Sequence, residues 1–214
     1  MAGLPAALEA PWGLFRKTRF ATLTIVEPLS QAQMDWRPAP HKWSSGEIVD
    51  HLLLSEHFWR GEIAKLIELA RAGRRAVLQR TAAELNVALF FIPRPLLPFF
   101  SIPFELINLF MPRDLRNWLL SNGLVPMRNP DVNEPKPRRS KRADELQEQL
   151  LCQLSETRAL FEANPDLNYQ EMTHLHPSLG VNDVPGILNV LAAHEQRHQG
   201  QIREILRVRA LLNR

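Results

Sequence analysis

The sequence predicts an all-α fold, a single domain with amphipathic helices near residues 11–26, 44–71, 141–163 and 185–209. Three observations predict it. Ile187, Leu191, His194, His198, Ile202 and Ile205 recur at steps of three and four, which keeps them on one stripe of a 3.6-residue helix. Ile48, His51, Leu52, Ser55, Trp59, Ile63 and Leu66 form a second such stripe, and Ser44 and Glu47 ahead of it are spaced as a capping box. Pro28, Gly73 and Asn164-Pro165 close periodic stretches, because proline cannot continue a helix and glycine favours its end.

The first helix is expected from about Pro11 to Val26, with Leu14, Thr18, Ala21 and Ile25 inward and Pro28 as its stop. Ser30 to His41 carries Pro38 and Pro40 and reads as an irregular connection. In the second helix His51 points inward and His57 lies on another face, while Glu47 serves as a cap. Gly73 and the arginines around it close that helix.

A hydrophobic insertion, about 76–135, separates the second helix from the third. It opens with a helical piece from Ala76 to Phe91 and continues as an apolar run. Prolines 93, 95, 98, 103 and 112, with Arg94 and Glu105, break that run and argue against a transmembrane helix. The run is expected to fold over the helices or into a homodimer interface; a lid over an apolar substrate and a surface dipping into a bilayer are the alternatives. Asn129 to Arg142 is a basic, proline-rich linker, read as a solvated connection. The third helix starts at Ser140 or Asp144, with Leu146, Leu150, Leu154, Thr157 and Phe161 inward and Cys152 packed off that stripe. Asp166 to Pro185 reads as irregular, with His174 and His176 as loop histidines near a site mouth. Pro185 then sits in the first turn of the last helix, where a missing N–H does no harm.

Composition narrows the function classes. Of 214 residues 45% are hydrophobic and 23% charged, the balance of a globular protein able to bury a substantial core. A net charge of +3 is too small to argue for a nucleic-acid partner. A single cysteine, Cys152, excludes an internal disulfide and a cysteine-based zinc site. The N-terminus lacks a basic region followed by an unbroken apolar core, so a cytoplasmic location is expected.

Two imidazoles on an aliphatic stripe need partners for their nitrogens. Hydrogen bonds from neighbouring helices would serve, and so would one divalent metal shared by His194 and His198, which stand four residues apart. His194-Glu195-Gln196-Arg197-His198 also matches H-E-x-x-H, the zinc-protease signature. A protease needs a third ligand, often downstream, but only 16 residues follow His198. The one acid among them, Glu204, falls about 240° around the helix from His198. His51 is the natural third ligand, since it interrupts its own apolar stripe in the same way. Three histidines from two helices would leave a metal with an open position, the layout of catalytic rather than structural sites. Such donors suit zinc, nickel, iron or cobalt.

Trp43-Ser44-Ser45 opening a helix that carries His51-Leu52, followed by Gly180 and HEQRHQGQI, resembles the DinB/YfiT-like superfamily. The likeness covers Leu14 to about Arg71 and Ser140 to Arg209 and leaves the apolar insertion unexplained. It implies a four-helix bundle with a three-histidine metal site, the ligands falling on His51, His194 and His198. Gln201 matches a further frequent position, which orients a ligand or metal-bound water. The resemblance also implies a metal-dependent hydrolase, or a transferase or isomerase that uses a low-molecular-weight thiol. In either, an open-site metal activates water or a thiol near neutral pH. Glu195 is then either a proton shuttle or a surface residue, since it lies about 100° off the histidine stripe. The competing reading is a non-catalytic, metal-stabilised binding or dimerisation module, membrane-associated in one variant through the insertion.

Overall fold

The computed structural model describes residues 3–40, 42–81, 141–176 and 179–212. In chain order these form α1 (Ala6–Val26), α2 (Gln31–Met34), α3 (Ser45–Arg71), β1 (Val77–Gln79), α4 (Ala143–Glu162), β2 (Thr173–His176), β3 (Gly180–Asp183) and α5 (Val184–Leu212). Helix α1 packs against α4 and α5, and α3 packs against the same two. Among the described residues no helix is long and apolar enough to cross a membrane.

A small sheet corrects the all-α expectation: the chain is mostly helical, with strands in the order β1-β2-β3. β1 runs parallel to β2, pairing Val77 with Thr173, and β2 runs antiparallel to β3, pairing His174 with Asn182. Val77–Gln79 is therefore strand where a helical piece was expected, and His174 and His176 lie in a strand rather than a loop. Runs of three or four residues are too short for an alternating pattern to show, and their pairing is made at long range. The rest of the apolar insertion, from residue 82, lies outside the described residues.

Local chemistry explains three of the helix ends. Ser44 Oγ accepts from the Glu47 N–H at 3.2 Å while Glu47 Oε2 accepts from the Ser44 N–H at 2.9 Å, a complete capping box. Gly73, at φ 65°, ends α3 with the Arg74 N–H on Leu69 O at 2.9 Å and the Gly73 N–H on Ala70 O at 3.0 Å, a Schellman-type close. At the head of α5 the Gly186 N–H donates to Asp183 Oδ1 at 2.7 Å, so strand β3 itself caps the helix it leads into. Helix α1 begins at Ala6, five residues before Pro11. Ala6, Ala7, Leu8 and Ala10 favour helix, and burial of Leu8 supports the extra turn despite the backbone bond that Pro11 cannot make.

The inward stripe of α1 is also rotated from the expected one. Of the expected set only Thr18 is buried; Leu14 is 43% exposed and Ala21 and Ile25 are only partly buried, whereas Leu8, Trp12, Phe15, Arg19, Thr22 and Val26 face inward. These positions alternate steps of four and three without a break. A buried arginine hides the pattern, because arginine is almost never fully buried unless paired. On α3 and α4 the expected inward residues are buried, and on α5 only His194 keeps partial exposure.

Among the described residues the interior divides into two apolar clusters. One gathers Phe15, Trp59, Ile63, Phe161 and Ile187, and the other Val26, Ile48, Leu53, Leu146 and Ile202. Between them run buried polar side chains: Thr18, Arg19 and Thr22 on α1, Ser55 and Glu56 on α3, and Glu195, His198 and Gln199 on α5.

Candidate metal centre

His51 lies in the second turn of α3, placed by the capping box below it, and His194 and His198 lie one turn apart on α5. Packing of α3 against α5 brings the three rings together. Nε2 of His194 stands 3.1 Å from Nε2 of His51 and 3.1 Å from Nε2 of His198. Ring centroids are 4.5–5.0 Å apart, all edge to face. Among the described residues this is the one group of three His, Cys, Asp or Glu whose ligand atoms all lie within 4.8 Å of one another.

Proton positions make the arrangement hard to satisfy with hydrogen bonds alone. Nδ1 of His198 donates to Gln201 Oε1 at 2.7 Å, so in the neutral ring Nε2 carries only a lone pair. His194 Nε2 faces that lone pair and His51 Nε2 as well. If it holds a proton it can point that proton well at only one of them; if it holds none, two lone pairs meet at 3.1 Å. A cation between the three nitrogens removes the conflict. Tetrahedral ligation with metal–nitrogen bonds of about 2.0–2.1 Å separates donor atoms by about 3.3 Å, close to the spacing found. The donor set fits a divalent metal.

Electrostatics keep His194 and His198 in the ligating form. His51 is 1% and His198 6% exposed. Burial, followed by the neighbouring His51, pushes His198 down to about 3. Burial, then His198 and His51, hold His194 well below the usual imidazole value. Neutral imidazole is the species a metal binds. Trp43 covers part of the centre, its ring centroid 5.0 Å from His51 and 6.5 Å from His198, nearly parallel to the latter. His194 keeps the exposed edge.

Glu195 is not a surface residue. It is buried, and its carboxylate accepts from Arg19 Nε and Nη2 at 2.9 Å each and from Thr22 Oγ1 at 2.6 Å. Arg19 and its other carboxylate partner, Glu56, are not singled out by the sequence analysis. The stripe through Phe15, Arg19 and Thr22 was the available signal.

Among the described residues, His57, His174 and His176 stay apart from the centre. His57 is exposed beside Arg60. His174 is fully buried with Nε2 2.9 Å from Glu62 Oε2, and both His174 and His176 lie against Trp59, at centroid distances of 5.0 and 5.6 Å. Cys152 is exposed rather than packed, 3.6 Å from Glu156 Oε1, and that carboxylate raises its thiol pKa, which disfavours the nucleophilic thiolate.

The sequence model of one protein family, the DinB superfamily, matches residues 14–202. Neither the curated proteins nor the solved structures give a match.

Proposed function

The chain belongs to the DinB superfamily, and from that premise we propose that His51, His194 and His198 hold a divalent metal in a metal-dependent hydrolase or a thiol-dependent transferase. The reading takes α1, α3, α4 and α5 as a four-helix bundle with the apolar insertion between α3 and α4. One observation carries it: three Nε2 atoms meet inside the protein, and one of them has its lone pair fixed inward by the Gln201 carbonyl. When bound, a divalent cation supplies Lewis acidity, which favours the deprotonated form of water or a thiol near neutral pH.

The other tasks fall to the chain itself. Gln201 holds the His198 tautomer, the outer partner that ligating histidines commonly have. Trp43 shields His51 and His198, so a substrate approaches over the exposed edge of His194 and meets an aromatic wall beside it. Glu195, with both oxygens held by Arg19 and Thr22, serves in this reading as part of the buried scaffold and not as a proton shuttle.

Elemental analysis of purified protein, with zinc, nickel, iron and cobalt titrations, tests the metal. One ion per chain that is lost in His51→Ala supports it, and no binding ends it. A colorimetric screen for thiol conjugation and ester hydrolysis on metal-loaded protein tests the chemistry. Turnover that disappears in His51→Ala supports an enzyme. Stoichiometric metal without turnover favours the non-catalytic module.

A further inference from the structure

Next to the three histidines the helices share a buried ionic layer whose charges do not balance. Arg19, 1% exposed, pairs with Glu195 and with Glu56 Oε2 at 2.8 Å, and its Nη1 also donates to Leu150 O at 2.9 Å. Thr22 Oγ1 donates to Glu195 and Thr157 Oγ1 to Glu56, at 2.6 and 2.8 Å. Helices α1, α3, α4 and α5 thus all contribute. Burial alone would lower the Arg19 pKa, but the two carboxylates outweigh it and raise it, so the guanidinium stays charged.

One guanidinium against two carboxylates leaves a formal charge of −1 in the interior. Glu56 is the less satisfied of the pair: Oε2 touches Arg19 yet has no well-aligned hydrogen-bond donor. Burying a surplus charge is costly, and a glutamine at either position would remove the surplus with almost no change of shape. The position of the layer offers a reason to keep it. Glu195 directly follows His194, and Glu56 lies five residues beyond His51, a rise of about 7.5 Å. Three neutral imidazoles offer a divalent cation no compensating charge of their own, and fields act over such distances where water is excluded.

The geometry points to Glu56 and Glu195, moderated by Arg19, as the counter-charge that sets the affinity of the histidine centre for a divalent cation. This rests on the metal reading above. Removing one carboxylate charge weakens the cation's hold while relieving the metal-free protein of a buried anion.

The test measures zinc dissociation constants by chelator competition, together with the melting temperature of metal-free protein, for wild type, Glu56→Gln, Glu195→Gln and Thr157→Val. In the two neutralised variants zinc affinity should fall about tenfold or more, the scale of outer-shell effects. The metal-free melting temperature of Glu56→Gln should hold or rise. Thr157→Val, which loosens the same layer without changing its charge, should keep affinity within about twofold, as its ion pair remains. Neutralised variants that bind zinc like wild type would overturn the proposal, as would Thr157→Val losing as much affinity as they do. If one neutralised variant fails to fold, the other decides by the same comparison. A wild type that binds no zinc, or binds it unchanged in His51→Ala, would instead sink the metal reading itself.

Discussion

Gln201 Oε1 accepts the Nδ1 proton of His198 at 2.7 Å, which turns the Nε2 lone pair of that ring toward His194. An exposed side chain thus fixes the chemistry of a buried one.

Gln201→Leu should leave the protein folded and weaken metal binding about tenfold, because the ring loses its tautomer and orientation partner. His51→Ala should abolish high-affinity binding. Titration of the metal-free variants with cobalt, followed by absorbance, measures both.

Metal should also stabilise the fold. A ligand at about 100 times its dissociation constant adds about 2.7 kcal/mol to the native state. Adding zinc to metal-free protein should therefore raise the melting temperature, and a chelator should reverse the gain. In His51→Ala the shift should vanish.

The phase of α1 is open to a direct check. Phe15 is fully buried, so Phe15→Ala should cost about 3–5 kcal/mol, whereas Leu14→Ala, on the outer face, should stay within about 0.5 kcal/mol. Urea denaturation of the metal-free variants separates the two.

Acid should unfold the metal-free protein in two stages read from the sheet side of the molecule. Burial, and then His174, hold His176 at about 3, below the 6.5 of an unfolded imidazole. Between those values the unfolded chain binds more protons, so this stability is complete above pH 6.5 and drains away as pH falls toward 3. Burial would raise Glu62, but hydrogen bonds from Arg80, Lys65 and His174 prevail and lower it from 4.5 to about 2. Its contribution is complete above pH 4.5 and is lost as pH falls toward 2. Melting curves across pH 2–7 should show His176→Phe flattening the upper part of the decline and Glu62→Gln the lower.

Helices with an unbroken stripe were legible in the sequence. The histidines stood out because each interrupts an aliphatic face on α3 or α5, and the capping box at Ser44 and Glu47 located the start of α3. The α1 stripe is hidden in the sequence because Arg19 sits where a hydrophobic residue is expected, and its partners Glu56 and Glu195 lie 37 and 176 positions away. Pairing at that range leaves no local mark. The strands escaped for a related reason: β1 depends on β2, which follows almost a hundred residues later. Glu195 looked like a surface or catalytic acid because helical phase alone cannot tell a solvated carboxylate from one locked to a cation.

The polar seam between the two apolar clusters crosses each of α1, α3 and α5 at a matching level. Sliding any of these helices by one turn, about 5.4 Å, would drive a charged group into oil and strand its counterpart. The seam therefore works as a ratchet stop, permitting one axial alignment of the helices. Ligand nitrogens on α3 and α5 inherit their mutual aim from it, and a sequence that kept its grease but lost this notch would still collapse, with its imidazoles out of step.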